Sequence, residues 1–447
     1  MDNLLEKGIS RMNGNNKEAI AFVVSLKECA KNKDLQNGMR IHENIVQKGL
    51  FGRNPYVGTS LINMYIKCGL REKAHCVFDN LQTRDVVTWT SLISGYADHG
   101  KPEQAINLFE HMIHENVMPN AITFLSILKA CSVIGDPKQC DYIHSKIEKH
   151  GLFEKDHVLG TMLVDAYAKC GSFSKARDVF EKIPVQDVVL WNTMISGYVQ
   201  QEHHEEALKC FDQMHVRGIS PNAATFVSIT KACCSIGSTN KMAEIHAEIE
   251  RLGLLEKCTV VGSSLVDMYS KSGNLTKAEH VFHKLSIQDR VSWTILMGGY
   301  AQLGQIENVL LIFERMLGEG IKPDPVAFLV VLDTCTRAGL VNKGYSYYEA
   351  MSKDYGIVPT LEHHVCMVNL FGSLGQLQKA LTMSKETSAS HSPAVWRTVL
   401  NACRNWGNVE LGKQAFNHAM HLEKKDAVSY VFMSLIYASC YDIGANG

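Results

Sequence analysis

Residues 86–120 read VVTWTSLISGYADHGKPEQAINLFEHMIHENVMPN. Trp89, Leu92, Ile93 and Tyr96 fall at i, i+3, i+4 and i+7, the apolar stripe of one amphipathic helix. Asp98-His99-Gly100-Lys101 interrupts that stripe, and Pro102 suits the first turn of a second helix, where its missing N–H costs nothing. Ala105, Leu108, Phe109 and Met112 form the second stripe, and Pro119 closes the unit. The stretch predicts one hairpin of antiparallel helices.

The hairpin recurs. Trp191 and Trp293 follow Trp89 at intervals of 102 residues, within WNTMISGYVQQE and WTILMGGYAQLG. The same interval relates LINMYIKCG at 61, LVDAYAKCG at 163 and LVDMYSKSG at 265. It also relates FLSILKAC at 124, FVSITKAC at 226 and FLVVLDTC at 328, with a weaker copy, FVVSLKEC, from Phe22. Each block holds units of 36, 31 and 35 residues: 19–54, 55–85 and 86–120; 121–156, 157–187 and 188–222; 223–258, 259–289 and 290–324. A long unit, 325–360, and a short one, 361–392, lead into a different segment, 393–447. The organisation read here is an N-terminal remnant at 1–18, eleven repeats over 19–392 and an extension over 393–447. One hairpin cannot bury both its stripes, so neighbours must stack and share a core. The predicted fold is all-α, a right-handed α-solenoid superhelix of antiparallel helix pairs whose first helices line a groove suited to an extended ligand.

Composition is that of an ordinary soluble chain: 447 residues, 46% hydrophobic, 20% charged, formal net charge −1. That balance argues against binding driven mainly by phosphate neutralisation, though a locally basic groove or neutral base readout stays open. The fourteen cysteines include no CxxC pair. Cys131, Cys233 and Cys335 recur by position, as do Cys68 and Cys170, whose third copy is Ser272. They read as small, partly buried helix residues, which fits a reducing compartment. No transmembrane run or secretory signal is present, and the first residues do not read as a transit peptide. LLEKGIS at 4–10 is similar to the tail of a preceding repeat.

Enzyme signals are weak. His246-Ala247-Glu248 matches half of a zinc-deaminase signature, but no PCxxC follows, and His246 is the copy of His42 and His144. His111 and His114 lack a third ligand, and the pairs His203-His204 and His363-His364 read as solvated. With no glycine-rich phosphate loop and no nucleophile elbow, the chain is read as a non-enzyme with no cofactor or metal.

These repeats resemble the pentatricopeptide repeat (PPR) proteins of the plant PLS subclass, in which long, short and standard motifs alternate. Residues 393–437, with VWRTVLNACRNWGNVELG and YVFMSLIYA, are similar to the E-type extension of plant organellar RNA editing factors, cut short at DIGANG. The resemblance implies single-stranded RNA binding at one nucleotide per repeat. It implies a role in cytidine-to-uridine editing in a mitochondrion or chloroplast, with a DYW-type deaminase and accessory editing factors acting in trans. It further implies that each base is read by the fifth residue of the first helix and the last residue of the motif. Those pairs are Thr59 with Asp85, Thr90 with Asn120, Thr161 with Asp187, Asn192 with Asn222, Ser263 with Asp289, and Thr294 with Asp324. Val87, Val189 and Val291, second in their motifs, are implied to wedge against base faces.

One contrast needs no resemblance. The fifth position holds Thr, Ser or Asn in the standard and short units named above, but Val23, Leu125, Val227 and Leu329 in the long ones. Capping competes with base reading at each position, since Asp85, Asp187 and Asp289 could cap the helices that follow. Two other functions stand beside RNA recognition: a tetratricopeptide-like protein-interaction scaffold, and a fragment of a longer PPR-DYW deaminase.

Overall fold

The computed structural model describes residues 14–52, 54–153, 156–386 and 388–444, and among these every regular element is helical. The Leu4–Ser10 stretch likened to a repeat tail lies outside the described residues. Two compact units divide the chain, Met1–Thr225 and Phe226–Gly447. Each is an α-solenoid of stacked helix hairpins.

Short polar side chains set where the helices begin. In the first unit Asn54, Asp85, Asn120, Asp156 and Asp187 each stand just before a first helix and accept from N–H groups of its first turn. Those helices run Pro55–Lys67, Val86–Asp98, Ala121–Ile134, His157–Lys169 and Val188–Gln200. Pro102 and Pro137 open second helices, where proline sacrifices no hydrogen bond. The N-terminal helix departs from the repeat reading: it runs Gly14–Asn32 and so starts five residues before the unit boundary at 19.

Stacking is built on the repeated aromatics. Trp89 is buried and meets Phe78, from the second helix of the preceding hairpin, edge-on at 4.6 Å. Trp191 meets Phe180 at 4.8 Å in the same way, and in the second unit Trp293 meets Phe282 at 4.8 Å. Such pairs add to burial rather than replace it. Successive first helices also touch directly. A Cβ on Gly197 would lie 2.5 Å from Ala168 Cβ, and one on Gly299 would lie 2.6 Å from Ser270 Cβ. The glycine of the SGY and GGY motifs is therefore a close-approach residue, holding one first helix against the one before it.

The segment after residue 392 holds three helices, Pro393–Asn405, Val409–Leu422 and Ala427–Gly444. They share a buried cluster with the preceding repeat that includes Trp396, Val399, Cys403 and Ile436.

Candidate nucleic-acid interface

The second, fifth, ninth and thirteenth residues of a first helix fall on one face. At the second position an apolar side chain stands in water repeatedly. Val87 is 51% exposed, Val189 57% and Val291 49%. The row is longer than the sequence reading gave it. Tyr56, Ile122, Val158, Val260 and Val326 sit at the same offset in long and short units and are comparably exposed or more so. The common offset was the available signal: Val158, Val260 and Val326 are valines there too, and Tyr56 and Ile122 share their apolar character. Glu362 breaks the row.

The fifth-position residues form the floor of this face. Thr59, Thr161 and Asn192 are half-buried, while Thr90, Ser263 and Thr294 are buried at 7%, 6% and 9% exposure. The threonine hydroxyls fold back on their own helices: Thr59 Oγ1 donates to the Pro55 carbonyl at 2.9 Å, Thr161 to His157 at 3.0 Å and Thr294 to Arg290 at 2.8 Å. Ser263 Oγ has no hydrogen-bond partner among the described residues.

The last residues stand at the rim and cap the next helix. Asp85 Oδ1 accepts from Thr88 N at 2.9 Å, Asp187 Oδ1 from Leu190 N at 2.9 Å, Asp289 Oδ1 from Ser292 N at 2.9 Å and Asp324 Oδ1 from Ala327 N at 2.8 Å. Capping consumes one oxygen of each carboxylate and leaves the other free to accept. Two pairs are brought together. Asn192 Nδ2 donates to Asn222 Oδ1 at 3.0 Å. Thr90 and Asn120 are joined through Thr123, whose Oγ1 lies 2.7 Å from Thr90 Oγ1 and 3.0 Å from Asn120 Oδ1. No hydrogen bond joins the members of the other four pairs.

Charge enters lower on the same face. Lys27, Lys129 and Lys231 hold the ninth position of long units, and Lys67, Lys169 and Lys271 the thirteenth of short ones. Asp98 pairs with Lys129 at 2.6 Å, Asp165 with Lys169 at 2.7 Å and Asp267 with Lys271 at 2.7 Å. Among the described residues Lys27, Lys67 and Lys231 have no such partner. Sequence reading missed these lysines, although the 102-residue period marks all six.

The histidines and cysteines are structural in their surroundings. His42, His144 and His246 set Nδ1 against the hydroxyls of Tyr65, Tyr167 and Tyr269 at 2.8, 3.0 and 3.0 Å, and burial holds all three below the usual imidazole range. The solvated reading of His363 and His364 is corrected. Both are buried: His363 Nε2 lies 2.8 Å from the Pro325 carbonyl, and His364 Nδ1 lies 2.8 Å from Tyr348 Oη. Glu362 beside them is charged, but the chain turns both rings inward, where backbone and hydroxyl partners satisfy them. Cys131, Cys233 and Cys335 are fully buried, and burial pushes the Cys335 thiol up to about 11. Among the described residues no group of three His, Cys, Asp or Glu side chains could hold a metal ion, and no helix is long and apolar enough to cross a membrane.

Stacked two-helix units with a recurring polar pair and apolar neighbour on one face define a helical-repeat protein that presents the same small site many times over. The chain belongs to the pentatricopeptide repeat family. Models described as "PPR repeat family" match residues 84–132 and 186–235, and those described as "PPR repeat" match 59–86, 161–188, 263–286 and 291–321. The Arabidopsis thaliana pentatricopeptide repeat-containing protein At4g25270, chloroplastic, is 34% identical over 436 residues, covering 97% of this chain and 80% of that protein. Another from the same plant, At4g33990, is 35% identical over 423 residues, covering 94% of this chain but 51% of the relative. The chain thus spans about half the length of some curated relatives. The crystal structure of the pentatricopeptide repeat protein PPR10 from maize superposes with a TM-score of 0.78 at 16% identity, over 95% of this chain and 62% of that one, a likeness of fold.

Proposed function

We propose that the chain binds single-stranded RNA along its first-helix face, about one nucleotide per repeat, and recognises sites for cytidine-to-uridine editing by a deaminase acting in trans. The relatives named chloroplastic or mitochondrial favour an organelle as the place of action. The order of long, short and standard units, with an E-like segment after them, favours the PLS type.

The observation that carries the reading is the direct bond between Asn192 and Asn222, two residues nominated as readers of one base. Around such a pair the chemistry is coherent. Guanine offers N1–H and N2–H donors, which the uncommitted oxygen of Asp85, Asp187, Asp289 or Asp324 accepts. Adenine offers an acceptor and a donor, which suits the amide of Asn120. The apolar second residues supply faces for stacking, typically about 1–3 kcal/mol per base. Lys27, Lys67 and Lys231, without an ion-pair partner among the described residues, supply positive charge on the same helices that backbone phosphates could use. From residue 55 the array then reads, 5′ to 3′, G, A, any, G, pyrimidine, any, G, G.

Fluorescence anisotropy with an RNA oligomer of that sequence tests the proposal. The matching oligomer should bind at least about tenfold more tightly than one of permuted order. Equal affinity for both would refute it. Capture of a peptide partner without any RNA binding would favour the scaffold reading instead.

A further inference from the structure

We infer that Thr225, itself buried away from any base, decides what the Asn192–Asn222 pair accepts. Its hydroxyl orients the amides so that the pair offers N–H groups to a base and keeps its oxygens inside the repeat, which favours cytidine and refuses guanosine. The inference rests on the base reading proposed above and adds a positioning residue to it.

Thr225 is the third residue of helix Ala223–Ile236 and is 0% exposed, so its effect on RNA passes through its neighbours. Its backbone N–H can only donate, which makes the Asn222 atom 3.2 Å away the amide oxygen. Its hydroxyl accepts from Asn222 N at 3.0 Å and has a single hydrogen to give. That hydrogen goes to Asn192 Oδ1, at 2.6 Å, rather than to Asn222 Oδ1, at 3.2 Å. Asn192 Nδ2 is thereby turned to Asn222 Oδ1 and donates to it at 3.0 Å. Both oxygens are engaged. The second N–H of Asn192 and the amide N–H groups of exposed Asn222 have no partner among the described residues.

A hydroxyl at this offset does not by itself produce the arrangement. Thr88 and Ser292 occupy the offset after Asp85 and Asp289, equally buried, and donate at 2.8 Å to the Asp85 and Asp289 carbonyls instead. Leu190 and Ala327 hold it after Asp187 and Asp324 and carry no hydroxyl. Behind the two asparagine-ended standard units the hydroxyl reaches the readers. Thr123 repeats the geometry of Thr225, with Oγ1 3.0 Å from Asn120 Oδ1 and 2.7 Å from Thr90 Oγ1.

A cluster of N–H groups suits adjacent acceptors. Cytidine sets N3 and O2 side by side, whereas guanosine turns N1–H and N2–H to the same place. A donor set against a donor leaves both unpaired, which costs more than the absence of one bond. Without the Thr225 hydroxyl, nothing holds Asn192 Oδ1 inward. The amide can then turn and offer guanosine an acceptor.

Anisotropy titration of the full chain with two RNA octamers tests this. Both fit the array, and they differ at the fifth nucleotide alone, cytidine or guanosine. The unaltered chain should prefer cytidine at least about tenfold. Thr225→Val should cut that ratio at least about fivefold, and Thr225→Ala, which also lacks the hydroxyl, should do the same. Thr225→Ser should restore the ratio, and Thr88→Val, which removes a hydroxyl that serves its own cap, should leave it unaltered. A ratio taken within one protein does not depend on how much of that protein is folded. An unaltered chain indifferent to the fifth nucleotide would overturn the base reading and this inference with it. Discrimination by the unaltered chain that both hydroxyl-free variants keep, or that the serine variant fails to restore, would overturn this inference alone.

Discussion

Asn192 Nδ2 donates to Asn222 Oδ1 across 3.0 Å, although the two residues are 30 positions apart. The same Oδ1 accepts from Thr225 N at 3.2 Å, while Thr225 Oγ1 donates to Asn192 Oδ1 at 2.6 Å. The last residue of a repeat thus serves two masters. It starts the next helix, and it offers polar atoms at the rim of the first-helix face. A base bound there, as proposed, would meet groups already held in place by the fold, so little side-chain entropy would remain to be lost.

That double role separates by substitution. Asp85→Ala removes the cap on Val86–Asp98 and should lower stability by about 1 kcal/mol, read from denaturant midpoints. Asp85→Asn keeps a capping oxygen and should leave the midpoint nearly unchanged, while moving the first nucleotide preference from G toward A. Loss of stability equal to that of the alanine variant would show that Asn cannot replace the carboxylate cap.

The apolar row makes a different prediction. Val87, Val189 and Val291 are about half exposed, so converting all three to Asp should change melting temperature little. RNA affinity should fall by about 1–3 kcal/mol per base whose stacking is lost. Tyr56→Asp and Ile122→Asp should weaken binding in the same manner. Anisotropy titrations beside melting curves distinguish this from unfolding.

Two adjacent glycines should respond with opposite signs. Gly298 sits in helix Arg290–Gln302 with nothing near its would-be Cβ, so Gly298→Ala should stabilise by about 0.5–1 kcal/mol. At Gly299 the new Cβ would meet Ser270 Cβ at 2.6 Å, and Gly299→Ala should cost about 1–3 kcal/mol by forcing two first helices apart. Equal effects in urea unfolding would contradict the close packing of successive first helices.

Acid should destabilise the fold through its partly buried histidines. His42, His144 and His246 have imidazole pKa values lowered in the folded chain, first by burial, from an ordinary value near 6.5. The unfolded chain therefore binds more protons in the window below that value. Their stabilising contribution is full above about pH 6.5 and is lost as pH falls from there through the lowered folded values. Unfolding free energy should drop between pH 7.5 and 5.5, and by less in His144→Gln. A pH-independent midpoint would contradict this account.

The 102-residue period made the fold legible, because Trp89 and its copies fix the register of every stripe around them. Other features could not be seen that way. The resemblance marks Val87, Val189 and Val291 in the standard units alone, while Val158 and Val260 carry the same residue in short units and Tyr56 only its apolar character. His363 and His364 were misjudged since burial there depends on the Pro325 carbonyl and Tyr348 hydroxyl, contacts that local sequence does not encode. Nothing in the sequence distinguishes Thr90, which is nearly covered, from Asn192, which stays partly accessible.

Exchanging one reader tests the central claim most directly. Asn120→Asp preserves a capping oxygen before Ala121–Ile134 and changes only what the rim of that repeat offers a base. Against a panel of RNA oligomers varied at the second position, the substitution should move preference from A to G by about 1–3 kcal/mol and leave the other positions unaltered. An unchanged preference, in a variant that still folds and still binds, would contradict the assignment of that face to base recognition.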